Sequence, residues 1–137
     1  MDRIILTIPG EPIGKARPRM TRTGIVYTPK KTLNYETLIR ELFIIKYPNF
    51  QPIDGPVHLH LSAWLKIPKV SKKKVAAMES GEIRPTKKPD MSNILKSVED
   101  ALNTLAYQDD KQIVEVEIKK RYSSRPRIEL MVEKISE

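Results

Sequence analysis

The feature that most constrains the fold of this sequence is a strict alternation of side chains between Pro56 and Pro68. In VHLHLSAWL every second residue from Val57 to Leu65 is apolar, and histidine, serine and tryptophan lie between them. Successive side chains of a β-strand point to opposite faces, so this run predicts a half-buried strand with one face against a core. The fold must therefore supply neighbouring strands and a layer that covers the apolar face.

Three other segments are predicted strands. The opening run RIILTI (3–8) is short, β-branched and bounded by Pro9-Gly10. Two later runs also alternate, and their apolar members are Val114, Val116 and Ile118 in the first and Ile128, Leu130 and Val132 in the second. The SSRP sequence (123–126) between these two runs predicts a turn that joins them as an antiparallel pair.

Three segments predict helices. The first begins at Thr28-Pro29, a good N-cap and first-turn pair, and should end before Pro48. One side of it is marked by Leu33, Leu38, Leu42 and Ile45. The run SKKKVAAMES (71–80) predicts a short basic helix capped by Ser71. The strongest helix, SNILKSVEDALNTL (92–105), is capped by Ser92 or Asp90, and its apolar stripe comprises Ile94, Leu95, Val98, Ala101, Leu102 and Leu105.

These elements predict one domain, residues 1–137, of the mixed α/β (α+β) class with a mainly antiparallel sheet and helices packed on it. The chain is long enough to bury a core without staples. It has no cysteine, which excludes disulfides and thiolate metal sites, and a reducing cytoplasm is the expected location. No apolar run approaches the length of a membrane span, and the N-terminus lacks the pattern of a signal peptide, so no membrane association is expected.

The formal net charge of +8 is distributed in blocks. Residues 1–31 contain seven Lys or Arg against two acids, and residues 66–88 contain eight against two. Residues 90–117 reverse the sign, with seven acids against two lysines. Basic blocks attract a polyanion, whereas carboxylates near DNA repel it unless a cation lies between them. The pattern suggests a polyanion held over a carboxylate cluster, although solvated helix and strand acids also account for it.

The acidic block contains candidate metal ligands. Asp90 precedes the strongest helix, and Asp109-Asp110 precede the next strand. Hard cations such as Mg²⁺ prefer carboxylate oxygens, and convergent aspartates support metal-assisted phosphodiester hydrolysis. The alternative is local: Asp90 as a helix cap and Asp109-Asp110 as turn formers. Lys96, in the first part of the helix, either pairs with Glu99 and Asp100 or stabilises charge on a phosphate.

Other residues divide between binding and packing. The loop GEPIGKARPRMTRTGIVY, a loop or loose hairpin, places four cations among glycines and prolines, which favours phosphate contact by Lys15, Arg17, Arg19 and Arg22. His58 and His60 have a spacing found in some zinc sites, but the chain has no further histidine or cysteine to complete one. Trp64 on the same strand face is interpreted as packing.

The segments KPDMSNILKSVEDALNTLAYQDDKQIVEVEIKK and, upstream, GKARPRMTRTG together resemble the RusA-type Holliday-junction resolvases, a family often carried by phages and prophages. The shared pattern is an Asp-x-Asp-Asn entrance to a helix, a lysine four residues past the second Asp, an Asp-Asp pair after the helix and an alternating strand. The resemblance covers most of the chain. It implies a homodimeric, Mg²⁺-dependent endonuclease that nicks four-way DNA junctions symmetrically in recombination and repair.

The resemblance also implies roles for individual residues. Asp90 and Asp110 stand at essential carboxylates, with Asp109 beside the second, and Lys96 stands at the functionally important lysine. Ser92 departs from the pattern, because the family usually has a second carboxylate there. Either Ser92 holds a metal-bound water while Asp109 supplies charge, or the position was changed to trap a complex, or this member binds junctions and cleaves poorly.

The sequence therefore predicts a structure-selective endodeoxyribonuclease whose metal ligands are Asp90, Asp109, Asp110 and Ser92. The metal would be Mg²⁺ or Mn²⁺, and the residues expected to grip the arms of branched DNA are Lys15, Arg17, Arg19, Arg22, Lys72, Lys73, Lys74, Lys87 and Lys88. The alternatives are a non-catalytic branched-DNA-binding protein with a weakened metal site, and a metal-dependent nuclease that acts on flaps or RNA.

Overall fold

The computed structural model describes residues 3–136. Its strands are β1 (Arg3–Pro9), β2 (Arg19–Met20), β3 (Val26–Tyr27), β4 (Val57–Lys66), β5 (Ile113–Ser123) and β6 (Arg127–Lys134). Its helices are α1 (Lys30–Lys46), α2 (Lys72–Glu79) and α3 (Met91–Leu102), and a 3-10 turn covers Asp110–Gln112. The predicted class is confirmed: a mixed α+β fold with a mainly antiparallel sheet and helices packed on it. The expected loose hairpin is present as the β2–β3 pair.

The main sheet has the strand order β1-β6-β4-β5, with β4 parallel to β5 and antiparallel to β6. The prediction that β5 and β6 pair with each other was wrong, because β4 lies between them. The register places Trp64 of β4 between Arg121 of β5 and Arg127 of β6. The short turn after Ser123 crosses the end of β4, since two strand spacings are only about 10 Å and four extended residues reach about 13 Å.

One face of the sheet is the core face. The alternating residues of β4 are buried as predicted, from Val57 to Leu65, and they pack with the inward residues of β1 and β6. Helices α1 and α3 cover this face and contact each other. The opposite face carries the polar residues of β4, and it includes Trp64 stacked under the guanidinium of Arg127 at 4.1 Å. Helix α3, which carries Lys96, is therefore packed on the core face of the sheet.

Helix α1 ends before Pro48 as predicted but starts at Lys30, one residue later than the Thr28-Pro29 cap implies. Of its predicted apolar side, only Leu38 and Leu42 are partly buried against the core. The buried residues are Thr32, Tyr35, Ile39 and Phe43, whereas Leu33 and Ile45 are exposed. The helix has apolar residues on two sides, so its periodicity alone does not identify the side that meets the sheet. The side that packs into the core is the one with Phe43, whose ring also packs edge-on against Phe50 and tilted against Tyr47.

This assignment predicts unequal costs for truncations on the two sides of α1. Phe43 is 2% exposed and Ile45 is 77% exposed. Phe43→Ala should lower the free energy of unfolding by about 3–5 kcal/mol, because it leaves a cavity in the core. Ile45→Ala should change it by less than about 0.5 kcal/mol. Urea denaturation of both variants measures the difference, and equal losses would contradict the assigned face.

Helix α3 begins at Met91, and Asp90 occupies its N-cap position. Its buried residues include Ile94, Val98, Ala101 and Leu102, as the stripe predicted, while Leu105 lies in the turn beyond the helix. The expected apolar face of β5 is only partly covered. Val114 lies at a register shift and is 61% exposed, and Val116 is also exposed, because β5 is an edge strand. Within residues 3–136, no helix is long and apolar enough to cross a membrane.

Candidate functional site

The site forms where α3 lies against the start of β5. At the entrance of α3, Asp90 has an extended backbone (φ −66°, ψ 145°), and its side chain makes no hydrogen bond that caps the helix. The carboxylate is exposed beside the free N–H groups of the first turn. The local interpretation of Asp90 as a side-chain cap thus fails here, and its carboxylate remains available to a ligand.

The Asp109-Asp110 pair is held in a capped turn. Asp109 accepts a hydrogen bond from the backbone N–H of Lys111 at 2.9 Å, and Gln112 completes a capping box. That backbone hydrogen bond, followed by a hydrogen bond with Asp110, lowers the pKa of Asp109. Asp109 is therefore a turn former as well as an exposed carboxylate, and it presents Asp110 toward α3.

Gln112 anchors this turn to the rest of the protein. Its Oε1 accepts from the backbone N–H groups of Gln108 and Asp109, at 2.9 and 3.1 Å. Its Nε2 donates to the carbonyls of Ile53 and Gly55, at 2.8 and 3.0 Å. The sequence analysis missed this residue, although the spacing Asp-x-x-Gln is the signature of a capping box and could have revealed it.

Lys96 bridges the two acidic segments. Its ammonium lies 3.4 Å from Asp110 Oδ2 and 3.1 Å from Asp100 Oδ1. The hydrogen bond to Asp100 is the largest cause of its raised pKa, and Asp110 adds to it. The pairing with Asp100 along the helix is thus present as predicted, and Lys96 also reaches Asp110, the carboxylate that precedes β5. A cation already occupies one side of Asp110.

Lys15 lies behind Lys96 rather than in the solvent. Its ammonium contacts Glu36 of α1 at 2.9 Å and Asp100 at 3.2 Å, and the side chain is 22% exposed. Burial by itself lowers the pKa of Lys15, but the hydrogen bonds to Glu36 and Asp100 outweigh it and the pKa is raised. Two carboxylates thus compete with any phosphate for this lysine. Lys15 pairs with Asp100, the residue that also contacts Lys96.

The backbone around Lys15 is docked on α3. The N–H of Lys15 donates to the carbonyl of Asn93 at 2.8 Å, and the hydroxyl of Ser97 donates to the carbonyl of Ile13 at 2.9 Å. A Cβ at Gly14 would lie 3.0 Å from Asn93 Cβ and from Pro89 Cβ, so this close approach favours glycine. The start of the basic loop is therefore fixed against the helix that carries Asp90 and Lys96.

Glu99 adds a further acid that the sequence did not single out as functional. Burial is the largest cause of its raised pKa, and the negative charge of Asp110 adds to it. Glu99 lies beside the buried Tyr107, whose hydroxyl donates to the backbone carbonyl of Glu99 at 2.8 Å. The raised pKa of Glu99 therefore reflects mainly its partial burial, with a smaller contribution from the negative charge of Asp110.

The carboxylates of the expected metal site are not preassembled into one cluster. Within residues 3–136, no three acidic or histidine side chains are grouped to hold one metal ion. The donor chemistry nevertheless fits a hard cation, because Asp90, Asp109 and Asp110 offer carboxylate oxygens. Mg²⁺ is commonly held by one or two carboxylates, with waters and substrate phosphates as its other ligands. Ser92 is exposed in the first turn of α3, two residues from Asp90, and offers a neutral hydroxyl.

The predicted DNA-binding cations are divided among four places. Arg19 and Lys88 line a groove of about 700 Å³ together with Lys31, which the sequence analysis did not select, and with Asp90. Arg17 and Arg22 are exposed on the arm that carries β2 and β3. The remaining predicted cations are Lys72, Lys73 and Lys74 on α2, and Lys87, which lies over the ring of Tyr122 at 5.8 Å.

The two histidines lie away from the carboxylate segments. His58 and His60 point from β4 toward Glu117 of β5, with Nε2–carboxylate distances of 3.9 and 3.8 Å. These are long contacts on the open face of the sheet. Within residues 3–136, no group of three potential metal ligands includes the two histidines.

Comparison with known proteins identifies the family. The model of the family described as "Endodeoxyribonuclease RusA" matches residues 9–133. The chain belongs to the RusA endodeoxyribonuclease family. The match includes the basic loop, α3 and the Asp109-Asp110 turn, and it confirms the resemblance inferred from the sequence. Membership in the RusA family supports a general function, that of an endodeoxyribonuclease that resolves Holliday junctions.

A second comparison finds a bacterial relative of this RusA-family chain. It is 39% identical over 142 residues to the uncharacterized protein YqaN of Bacillus subtilis (strain 168), and the alignment covers 99% of each chain. The similarity therefore extends over nearly the whole of both chains.

Proposed function

We propose that this protein resolves four-way DNA junctions by paired symmetric nicks through metal-assisted phosphodiester hydrolysis. The observation that carries the proposal is the contact between Lys96 of α3 and Asp110 before β5, at 3.4 Å. It joins the lysine and the carboxylate that the RusA resemblance marks as functional, although fourteen residues separate them. Asp90 lies on the same helix as Lys96, at its exposed entrance.

The residues have distinct roles in the proposed reaction. Asp90, Asp109 and Asp110, with Ser92 as a neutral supplement, would hold Mg²⁺ or Mn²⁺. Bound there, the ion would supply an activated water and would neutralise charge on the phosphate. Lys96 donates hydrogen bonds to the negative charge that develops on the phosphate oxygens. Gln112 keeps Asp109 and Asp110 in position, so little reorganisation is needed when DNA arrives.

The cationic surface orients the DNA. Arg19 and Lys88 line the groove that includes Asp90, so they contact phosphates beside the cut. The exposed arm with Arg17 and Arg22 reaches further along the duplex. A homodimer suits the task, because a twofold assembly presents two identical sites to the two symmetric strands of a junction. The cytoplasm, where DNA is processed, is the proposed location.

The test is cleavage of an end-labelled four-way junction with Mg²⁺ and with Mn²⁺, using linear duplex of the same sequence as the control. Paired nicks at symmetric positions of the junction, absent from the duplex and from reactions with chelator, are expected. A flap and an RNA duplex in the same assay distinguish other nuclease substrates. Cleavage of linear duplex at the same rate as the junction would overturn the assignment of the substrate.

The second candidate function is a branched-DNA-binding protein without cleavage. Two observations favour it: Ser92 stands where the RusA pattern usually has a carboxylate, and no group of three acids is preassembled within residues 3–136. This function predicts junction binding that is independent of metal and no nicks with either ion. Under it, Asp90→Asn and Asp110→Asn cause no loss of function.

A prediction follows from the position of Asp100 between Lys15 and Lys96. Asp100→Asn should lower the cleavage rate about tenfold, because Lys96 loses its nearer partner and then competes with the metal for Asp110. In a Lys96→Met background, the same substitution should have almost no effect on cleavage. The double-mutant cycle separates positioning from folding, and a titration of Mn²⁺ binding supplies a readout that does not depend on activity.

The matched control for this cycle is Asp54→Asn, which removes an exposed carboxylate from the loop between α1 and β4. It should leave the cleavage rate and Mn²⁺ binding unchanged. An equal loss from Asp100→Asn with and without Lys96 would mean that Asp100 acts on the fold and not through Lys96.

A further inference from the structure

A second groove lies at the edge of the sheet, on the other side of the α3 entrance. It has a volume of about 430 Å³ and runs along the second half of β5. Four of its lining residues are cations and none is acidic; the cations are Arg84, Lys119, Lys120 and Arg121. None of the four was among the DNA-binding residues expected from the sequence.

These four cations have no acidic partners. Among residues 3–136, none of their side chains forms an ion pair within 4.0 Å, whereas Arg3, Lys15, Lys96 and Arg127 each contact a carboxylate. Four like charges around one groove repel each other, and a bound anion relieves that repulsion. The groove is therefore suited to a ligand with several negative charges.

Local contacts hold the cationic side chains in place. Lys120 Nζ donates to the carbonyl of Lys87 at 2.8 Å, and Arg84 Nε donates to the carbonyl of Gly81 at 3.1 Å. Arg121 packs against Gly81 so closely that a Cβ there would lie 2.6 Å from its Nη1. Gly81 also has a φ of +85°, so both the space and the backbone favour glycine. Three of the four cations are thus held in place, and the guanidinium and ammonium groups keep donors for an anion.

The two basic grooves meet at the entrance of α3. Asp90 lines the groove that includes Arg19, Lys31 and Lys88, and the next residue, Met91, lines the β5 edge groove. A DNA strand that passes Asp90 therefore has cations on both sides of it. One groove lies toward the basic loop and the other toward the edge of the sheet.

We propose that the β5 edge groove binds the backbone phosphates of the DNA strand on the far side of the cut. The inference rests on the proposed function and extends it by assigning the path of the strand: from the groove with Arg19 and Lys88, across Asp90, to Arg84 and Lys119–Arg121. Contacts to phosphates position the strand without reading its sequence. The edge groove thereby fixes which phosphate lies over Asp90 and Asp110.

The test is the salt dependence of junction binding by Arg84→Gln/Lys119→Gln, measured in chelator so that no cleavage occurs. Each lost phosphate contact lowers the slope of log affinity against log salt by about 0.9, so the slope should fall by about 2. Binding at moderate salt should weaken by about tenfold or more. Both side chains are exposed, so the melting temperature should not change.

The matched control is Arg3→Gln/Lys134→Gln, which removes one Arg and one Lys from elsewhere on the sheet. Arg3 lies on β1, the opposite edge strand, and Lys134 ends β6, and neither lines either groove. The control should retain the wild-type salt slope. Ethylation interference on the wild-type complex should show essential phosphates on both sides of the cut, and those on one side should lose their effect in the groove variant.

The outcomes separate the two proposals. If the wild type cleaves the junction and the groove variant has the same salt slope and the same interference pattern as the control, the edge groove does not bind the strand, and the proposed function stands. If the wild type neither binds nor cleaves junctions in preference to duplex, the proposed function fails and the strand path fails with it. A fall in slope confined to the groove variant supports the path.

Discussion

Asp110→Asn is expected to abolish junction cleavage while DNA binding persists. Asp110 is the carboxylate that Lys96 already contacts. The neutral side-chain amide of the asparagine that replaces it is a poor ligand for a hard cation. A metal ion contributes several kcal/mol to stabilisation of a phosphoryl transition state. Since each 1.4 kcal/mol is a factor of ten, the rate should fall by about a thousandfold or more. Junction affinity in chelator should be unchanged or higher, because one negative charge that faces the DNA is removed.

The measurement is single-turnover cleavage of an end-labelled junction, paired with binding in chelator. Asp54→Asn serves again as the control for loss of one exposed carboxylate, and it should cleave at the wild-type rate. Thermal unfolding checks that Asp110→Asn remains folded. A variant that cleaves within tenfold of the wild type would remove Asp110 from the site and favour the binding-protein alternative.

Ser92→Asp is expected to strengthen metal binding and cleavage. Ser92 lies in the exposed first turn of α3, two residues from Asp90, where the RusA pattern usually has a carboxylate. Replacing a neutral hydroxyl by a charged oxygen ligand raises the affinity for a hard cation. The Mg²⁺ concentration for half-maximal cleavage should fall by about ten- to a hundredfold. Calorimetric titration of the metal without DNA gives the same comparison without relying on activity.

Ser92→Asn is the matched control, since it has nearly the shape of aspartate but no charge. It should retain the metal dependence of the wild type. Aspartate in the first turn also stabilises a helix by about 0.3–1 kcal/mol through the helix dipole, so a small rise in melting temperature is expected with or without metal. Equal behaviour of the Asp and Asn variants in the metal titration would show that position 92 does not contribute a ligand.

Parts of the fold were predictable from local patterns. The alternation in β4, the stripe of α3, the Ser71 cap of α2 and the loose hairpin at 19–27 all follow from side-chain period and turn residues. Strand order was not predictable, because the turn after Ser123 is compatible both with direct pairing and with a crossing over the end of β4. The buried side of α1 was also not predictable, since apolar residues occupy two sides of the helix and the sheet covers only one.

The candidate site divides in the same way. The contact between Lys96 and Asp100 follows from helical spacing, whereas the contact between Lys96 and Asp110 depends on how β5 returns along α3. Lys15 resembles the other cations of its loop in sequence, yet it lies between Glu36 and Asp100 because the loop docks on α3. The four cations of the β5 edge groove come from two distant segments, so no local pattern marks them as one surface.

The sequence by itself determined the elements, the acidic and basic segments and, through the motif from Lys88 to Lys120, the RusA resemblance. These properties depend on residue type and spacing along the chain, which need no knowledge of packing. Only the tertiary structure decided which charges lie close together. Asp110 contacts Lys96, Lys15 contacts Glu36, and Arg84 shares a groove with Lys119 to Arg121. The reason is physical, because electrostatic contacts act over a few ångströms in space, and distances in space are set by the sheet order and helix packing.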